Sequence, residues 1–233
     1  MKTNLELVRF AERALAERWG YCLGTFGNIL TPTLLNQKMA QGYGVGSYNK
    51  RHQTYLKTFT NKRVSDCYGL VKGFVWWREG ASPKYNSRQD RNQEGAYSAA
   101  REKGRLNTMP EIPGLVLWMR GHAGIYIGDG KFIECVGAPV GMRKGRIHNG
   151  VVISGSKFTH WFKDTYIQYL DKSSTGKLAL QINGRVKYID GFIKTGISYA
   201  VIGKIEIPLR TLGEGLGFKV GWDNTKKMVI WNE

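Results

Sequence analysis

The sequence predicts an α+β chain in which a helix carrying a cysteine packs on an antiparallel sheet, with a second, small α+β domain behind it. Three observations predict this. Behind polar Ser65 and Asp66, the apolar residues Leu70, Val71, Phe74 and Trp77 fall at the three-and-four spacing of one buried helix face. Residues 115–136 read as strands, two of them flanking the turn residues Gly128-Asp129-Gly130. Asp171-Lys172-Ser173-Ser174-Thr175-Gly176 has linker composition, and the texture changes beyond it. The expected domains are residues 1–172 and 177–233.

From the N-terminus, Thr3 and Glu6 stand at capping-box spacing, and Val8, Ala11, Leu15 and Trp19 mark an amphipathic helix. A Gly-rich turn follows at 20–27. Residues 33–40 form a short helix after Pro32, and Gly42–Tyr48 a loop that packs over the core through its tyrosines. Beyond the cysteine helix, 79–109 is rich in charge, Gly, Asn and Gln, a long connection of the kind that carries function or moves. Within it, Ala96–Gly104 reads as a helix ending at Gly104, and Tyr85, Asp90 and Tyr97 are candidate substrate contacts. Leu115–Met119 opens the sheet, the strands at 122–128 and 131–136 follow as a meander, and Val151–Ile153 and Tyr166–Leu170 add further strands.

The chemistry begins at Cys67. With Ser65 or Asp66 as cap, the thiol sits in the first helical turn, where the helix dipole and unpaired N–H groups favour the thiolate. A nucleophile needs a base, and His122 opens a strand whose His122, Gly124 and Tyr126 share one face. Whether Glu134 joins that face depends on register. A two-residue Asp129-Gly130 turn pairs Glu134 with Ile125, on the wrong side. A three-residue Gly128-Asp129-Gly130 loop pairs it with Gly124, and the missing side chain there lets the carboxylate lean to the imidazole. The second register is expected, giving nucleophile, base and orienting carboxylate as Cys67, His122 and Glu134. Cys22 lacks a helix start, and the run around His160 lacks regular alternation; His52, His148 and His160 read as structural histidines.

Asp66-Cys67-Tyr68-Gly69-Leu70, followed by His122-Ala123-Gly124-Ile125-Tyr126-Ile127-Gly128-Asp129-Gly130 and a polar residue twelve positions after the His, resembles the NlpC-type, papain-like cell-wall cysteine peptidases. The resemblance covers roughly residues 1–170. It implies cleavage of amide bonds in the peptides of peptidoglycan, without a metal or other cofactor. The family's third position is commonly His, Asn or Gln, and Glu134 departs from it. Trp19–Gly27 matches the stretch that places a Tyr near the active site, so the resemblance makes Tyr21, with Asp66, a candidate substrate or oxyanion contact. The gap from this Tyr to the Cys is longer than usual, spanning 28–65, as in phage or prophage lysins of Gram-positive hosts. The implied bond is D-glutamyl–diamino acid, the alternative N-acetylmuramoyl-L-alanine. A non-catalytic wall or nucleic-acid binder, and acyl transfer on the same pair, are the competing functions.

In the tail, Ile207-Pro208-Leu209-Arg210, Leu212, Gly213–Gly217 and Val220-Gly221-Trp222-Asp223 resemble the copper amine oxidase N-terminal-like domain, a small module fused to wall enzymes. The tail holds no His or Cys, so the name implies no copper; binding of wall polymer or oligomerisation are its implied roles. A hairpin is expected over Leu178–Val186, a strand running into a short helix over Ile205–Gly217, and two strands around an Asp223-Asn224 turn.

A formal charge of +17 and a pI near 9.9 call for a polyanionic partner. Residues 177–233 carry nine Lys/Arg against five Asp/Glu, so +13 of the charge belongs to the rest of the chain. Teichoic acids and carboxylates of a bacterial wall fit; scattered Lys and Arg with no zinc-finger or recognition-helix pattern speak against nucleic acid. Three cysteines, Cys22, Cys67 and Cys135, make neither metal-ligand spacing nor a disulfide framework. No stretch has the apolar length of a membrane span, and Met1–Glu6 lacks the features of a signal peptide, so synthesis in the cytoplasm and release to the wall are expected.

Overall fold

A computed structural model describes residues 2–78, 82–170, 176–183, 185–194, 197–202, 205–223 and 228–232. The fold is mixed α+β with a curled antiparallel sheet. The chain divides into two compact units, Met1–Tyr169 and Leu170–Glu233. The linker expected at Asp171–Gly176 lies, apart from Gly176, outside the described residues.

The first unit opens with α1 (Asn4–Ala16), capped by Thr3, whose side chain accepts from the Glu6 N–H while Glu6 reaches back to the Thr3 N–H. Its buried face is Leu7, Phe10, Ala11 and Ala14. Val8 and Leu15, expected on that face, are half-buried, and Trp19 lies beyond the helix end. Strands β1 (Gly20–Tyr21) and β2 (Phe26–Ile29) precede helices α2 (Pro32–Ala40), α3 (Val45–Arg51) and α4 (Gln53–Lys57), and β3 (Arg63–Ser65) closes this section. The loop expected at Gly42–Tyr48 is therefore half helix: Gly44, at φ 78°, turns the chain into α3, a conformation glycine adopts freely. A small three-stranded sheet has the order β1-β3-β2, with β1 parallel and β2 antiparallel to β3.

Helix α5 (Gly69–Trp76) lies against β2 and is buried at Gly69, Leu70, Val71, Gly73, Phe74 and Trp76. Trp77, expected on its buried face, is instead the extended, half-buried residue that ends the helix. Next come α6 (Gln93–Ala99) and β4 (Lys103–Arg105). The helix expected to end at Gly104 stops earlier because Ala100 is extended, and Gly104 sits in β4 opposite Trp161. The main sheet adds β5 (Val116–Met119), β6 (His122–Gly128), β7 (Lys131–Val136), β8 (Gly141–His148), β9 (Val151–Ser154) and β10 (His160–Phe162). Its order is β4-β10-β5-β6-β7-β8-β9, antiparallel throughout. Strands β5, β6 and β7 form the expected meander, Val151–Ile153 lies in β9, and β8, where no strand was expected, continues the meander between them. Tyr166–Leu170 is not a strand. The Tyr166 N–H bonds to the Asp164 carboxylate and the Ile167 N–H to the Asp164 carbonyl, making a turn, and only a single bridge, Gln168 to Thr3, remains. One core runs from α1 and α5 onto the inner face of the sheet, through Leu7, Phe10, Leu70, Phe74, Val116, Ile125 and Ile133.

The second unit contains β11 (Gly176–Ile182), β12 (Arg185–Lys194), β13 (Ile197–Ile202), β14 (Ile205–Pro208), α7 (Leu209–Gly215), β15 (Lys219–Asp223) and β16 (Met228–Asn232). The order is β14-β13-β12-β11-β16-β15; β11 and β16 run parallel and the other pairs antiparallel. The expected hairpin is β11–β12, and the strand running into a helix is β14–α7. The Asp223-Asn224 turn falls mostly outside the described residues. Leu180, Leu209, Val229 and Trp231 form the core. Strand β13 had no counterpart in the sequence reading. Among the described residues no helix is long and apolar enough to cross a membrane.

Candidate active site

Asp66 organises the entry to α5. Its Oδ1 accepts from the Gly69 N–H, its Oδ2 from the Gly24 N–H at 2.9 Å, and its carbonyl from the Leu70 N–H at 3.2 Å. These bonds close the turn before the helix and tie the Gly-rich turn to it. The N-cap of α5 itself is Tyr68, without a side-chain bond, so the cap expected at Ser65 or Asp66 lies one turn ahead of the helix. The helix proper begins at Gly69, so Cys67 occupies the turn before it rather than a regular helical turn. Both Asp66 oxygens are engaged with backbone, which places the residue as a support of the Cys67 turn.

Cys67 is 8% exposed and belongs to the buried cluster that also holds Tyr21, Tyr68, Ala123 and Cys135. Burial, then the Asp66 charge, pushes it up to about 12, while the N–H groups of Ala123, Tyr68 and Cys67 itself pull the other way. The N–H groups at this turn favour the thiolate, as expected, but desolvation in the core outweighs them. Ala123, the residue after His122 in β6, lies in the same buried cluster as Cys67.

Glu134 and His122 meet as expected. Gly124 pairs with Glu134 across β6 and β7, and His122 Nε2 lies 2.6 Å from Glu134 Oε2. The route to that register is new. Asp129 and Gly130, both at positive φ (52° and 66°), form a two-residue turn between Gly128 and Lys131, and an irregularity between Tyr126 and Gly128 then shifts the pairing by one. The space above Gly124 is not left for the carboxylate. A Cβ there would stand 2.8 Å from Phe158, whose ring stacks on His122 at 5.4 Å with 8° between planes.

Glu134 is fully buried. Its Oε1 accepts from Arg143 Nε at 2.8 Å and from the Ser156 N–H at 3.0 Å, and Arg143 also bonds Ser156 Oγ at 3.2 Å. Burial alone would raise its pKa, but the bonds from His122, Ser156 and Arg143 prevail and hold it at about 2. Gly155, at φ 102°, lets the loop close on this carboxylate; a Cβ there would meet Phe132 at 2.5 Å and Glu134 Oε1 at 3.0 Å. Arg143, Ser156 and Phe158 were missed in the sequence. Alternation along β8 places Arg143 opposite Glu134 once the strand register is known; nothing local marks the other two.

Tyr21 pairs with Ser65 in the parallel β1–β3 ladder, two residues before the cysteine, and its hydroxyl is raised by burial and by the charges of Asp66 and Cys67. Its N–H donates to the Tyr55 hydroxyl at 2.9 Å. Tyr68 anchors the turn from the far side by donating to the buried Asp164 carboxylate, which Arg91 also bonds at 3.3 Å. Tyr97 stacks on Trp118, and Tyr85 bonds Asp90 on the surface. Cys22 and Cys135 are fully buried, and His160 sits against Tyr97 and Trp118. Among the described residues no three His, Cys, Asp or Glu side chains cluster as a metal site needs. Compared with known protein families, curated proteins and solved structures, the chain matches none.

Proposed function

We propose that the chain is a cysteine-dependent peptidoglycan hydrolase of the NlpC type, cleaving a stem-peptide amide bond. The observation that supports this most is the 2.6 Å pairing of His122 with buried Glu134, with Ala123, the residue after the histidine, in the same buried cluster as Cys67. Because Glu134 is ionised, the neutral imidazole keeps its hydrogen on Nε2 and its lone pair on Nδ1. With the thiol protonated at rest, His122 is a general base: it takes the Cys67 proton as sulfur attacks the amide carbonyl carbon. It then returns that proton to the leaving amine as the C–N bond breaks, forming a thioester. Water, deprotonated by the same ring, attacks the thioester and releases the carboxylate and the thiol. In this reading the backbone N–H groups of Cys67 and Tyr68, at the turn before α5, and Tyr21 stabilise the oxyanion. The preferred bond is D-glutamyl–diamino acid.

The test is turbidity loss and fragment mass spectrometry on purified Gram-positive peptidoglycan, with wild type beside Cys67→Ala. Fragments from wild type alone support the reading, and their masses name the bond. Equal behaviour on several wall types overturns it in favour of a binder.

A further inference from the structure

Between Tyr21 and Cys67 the chain inserts α2, α3 and α4, and this section has a one-sided charge. Residues 18–65 contain seven Lys/Arg (18, 38, 50, 51, 57, 62 and 63) and no Asp or Glu. Lys50, Arg51, Lys57 and Lys62 are exposed, and among the described residues none of them pairs with a carboxylate. The helices share their own core of Leu30, Leu35, Leu56 and Val64, so the charges decorate a folded element.

That element is fixed to the candidate site. The Tyr55 hydroxyl takes the Tyr21 N–H, the Tyr48 hydroxyl takes the Ala138 N–H at 2.9 Å, and the Asn49 amide bonds both Leu23 N–H and carbonyl at 3.1 and 3.0 Å. Stabilisation of helix ends explains part of the pattern, because Lys50, Arg51 and Lys57 lie in last turns. The same logic places acids in first turns, and α2, α3 and α4 have none there. Lys62 lies outside any helix. The missing acids are what a surface built to meet a polyanion requires.

We infer that the α2–α4 insert is a docking surface for a phosphate-bearing wall polymer, which it holds beside Tyr21 and Cys67. The choice of wall polymer over nucleic acid rests on the proposed hydrolase function; the surface itself rests on charge and attachment. Binding is therefore measured without catalysis, on full-length Cys67→Ala protein with purified poly(glycerol phosphate) and, in parallel, duplex DNA. Lys50, Arg51, Lys57 and Lys62 are changed together to Gln. A control carries Arg105, Lys131, Lys144 and Arg146, also exposed, changed to Gln. Four phosphate contacts at about 0.7 each predict a roughly fifty-fold loss of polymer affinity between about 50 and 200 mM salt. The insert variant is expected to bind at least about tenfold more weakly at the lower salt and to lose most of that salt dependence, with the control near its parent. Equal weakening in both variants overturns the assignment to this surface. Tighter binding to DNA than to the polymer overturns the partner. Neither result bears on whether Cys67 hydrolyses wall, which the fragment assay decides alone.

Discussion

Arg143 and Glu134 face each other across β8 and β7, with Nε 2.8 Å from Oε1 on the carboxylate oxygen that His122 does not use. A buried carboxylate opposite an imidazole would otherwise be driven towards its protonated form, which donates rather than orients. Arg143 thus adds to the bonds from His122 and Ser156 that keep this buried glutamate ionised.

Glu134 is held at about 2 against an ordinary 4.5, a lowered value, so its stabilisation is present above 4.5 and disappears as the pH falls towards 2. The size is about 3 kcal/mol. Urea unfolding from pH 6 down to 2 is expected to show this loss in wild type and a flatter profile in Glu134→Gln. Arg143→Met, which removes a partner that is 37% exposed, costs less, about 1–3 kcal/mol, and its effect shrinks when combined with Glu134→Gln. Additive effects in the double variant would show that the two residues act independently.

The Cys67 thiol, raised by burial and by Asp66, gives a second prediction. Iodoacetamide labelling of Cys67, followed by peptide mass, is slow at pH 7 and rises steeply only above about pH 10. Asp66→Asn removes the charge that disfavours the thiolate, so labelling moves to lower pH, while loss of a charged cap costs about 1 kcal/mol of stability. An unchanged labelling profile would assign the whole elevation to desolvation.

Gly124→Ala tests the packing over the base. The new Cβ meets the Phe158 ring at 2.8 Å, and that ring is the one stacked on His122. Displacing it costs about 1–3 kcal/mol, and the wall hydrolysis proposed for this site is expected to fall more than stability does. Pairing the change with Phe158→Leu, which makes room, is expected to recover part of the lost stability. Continued loss in the pair would mean the backbone, not the ring, resists the methyl.

The sequence made the strand carrying His122, the Glu134 face and the Asp66 turn ahead of the helix legible because each depends on short-range pattern: alternation, turn residues and the spacing of polar residues. The register came out as expected although its device, a tight turn plus a shift near Ile127, was not the one assumed. What stayed hidden is long-range. Tyr68 and Asp164 are 96 positions apart, and Arg91 and Asp164 are 73 apart. The thiol divides the same way: the local N–H dipoles that favour the thiolate are visible in a sequence, whereas the burial that opposes them is not.

Gly69 and Gly73 supply the last prediction. They stand four apart on α5, and a Cβ on either would enter the backbone of the adjacent segment, 2.0 Å from the Thr25 carbonyl oxygen and 2.2 Å from the Phe26 carbonyl oxygen. Backbone oxygens cannot step aside as a side-chain tip can, so Ala at either position pushes the helix outward. The two positions differ in what they disturb. Gly69 also donates its N–H to Asp66, so its displacement breaks the cap and moves the Cys67 turn. At Gly73 the nearest side chain is Phe10 at 3.7 Å, and the strain enters the core behind the turn. Both variants are expected to lose more than about 3 kcal/mol in urea unfolding. In protein that remains folded at low temperature, only Gly69→Ala should raise the iodoacetamide reactivity of Cys67 at pH 7. Matching reactivity in the two variants would mean that the position of the thiol is set by the helix as a body rather than by its cap.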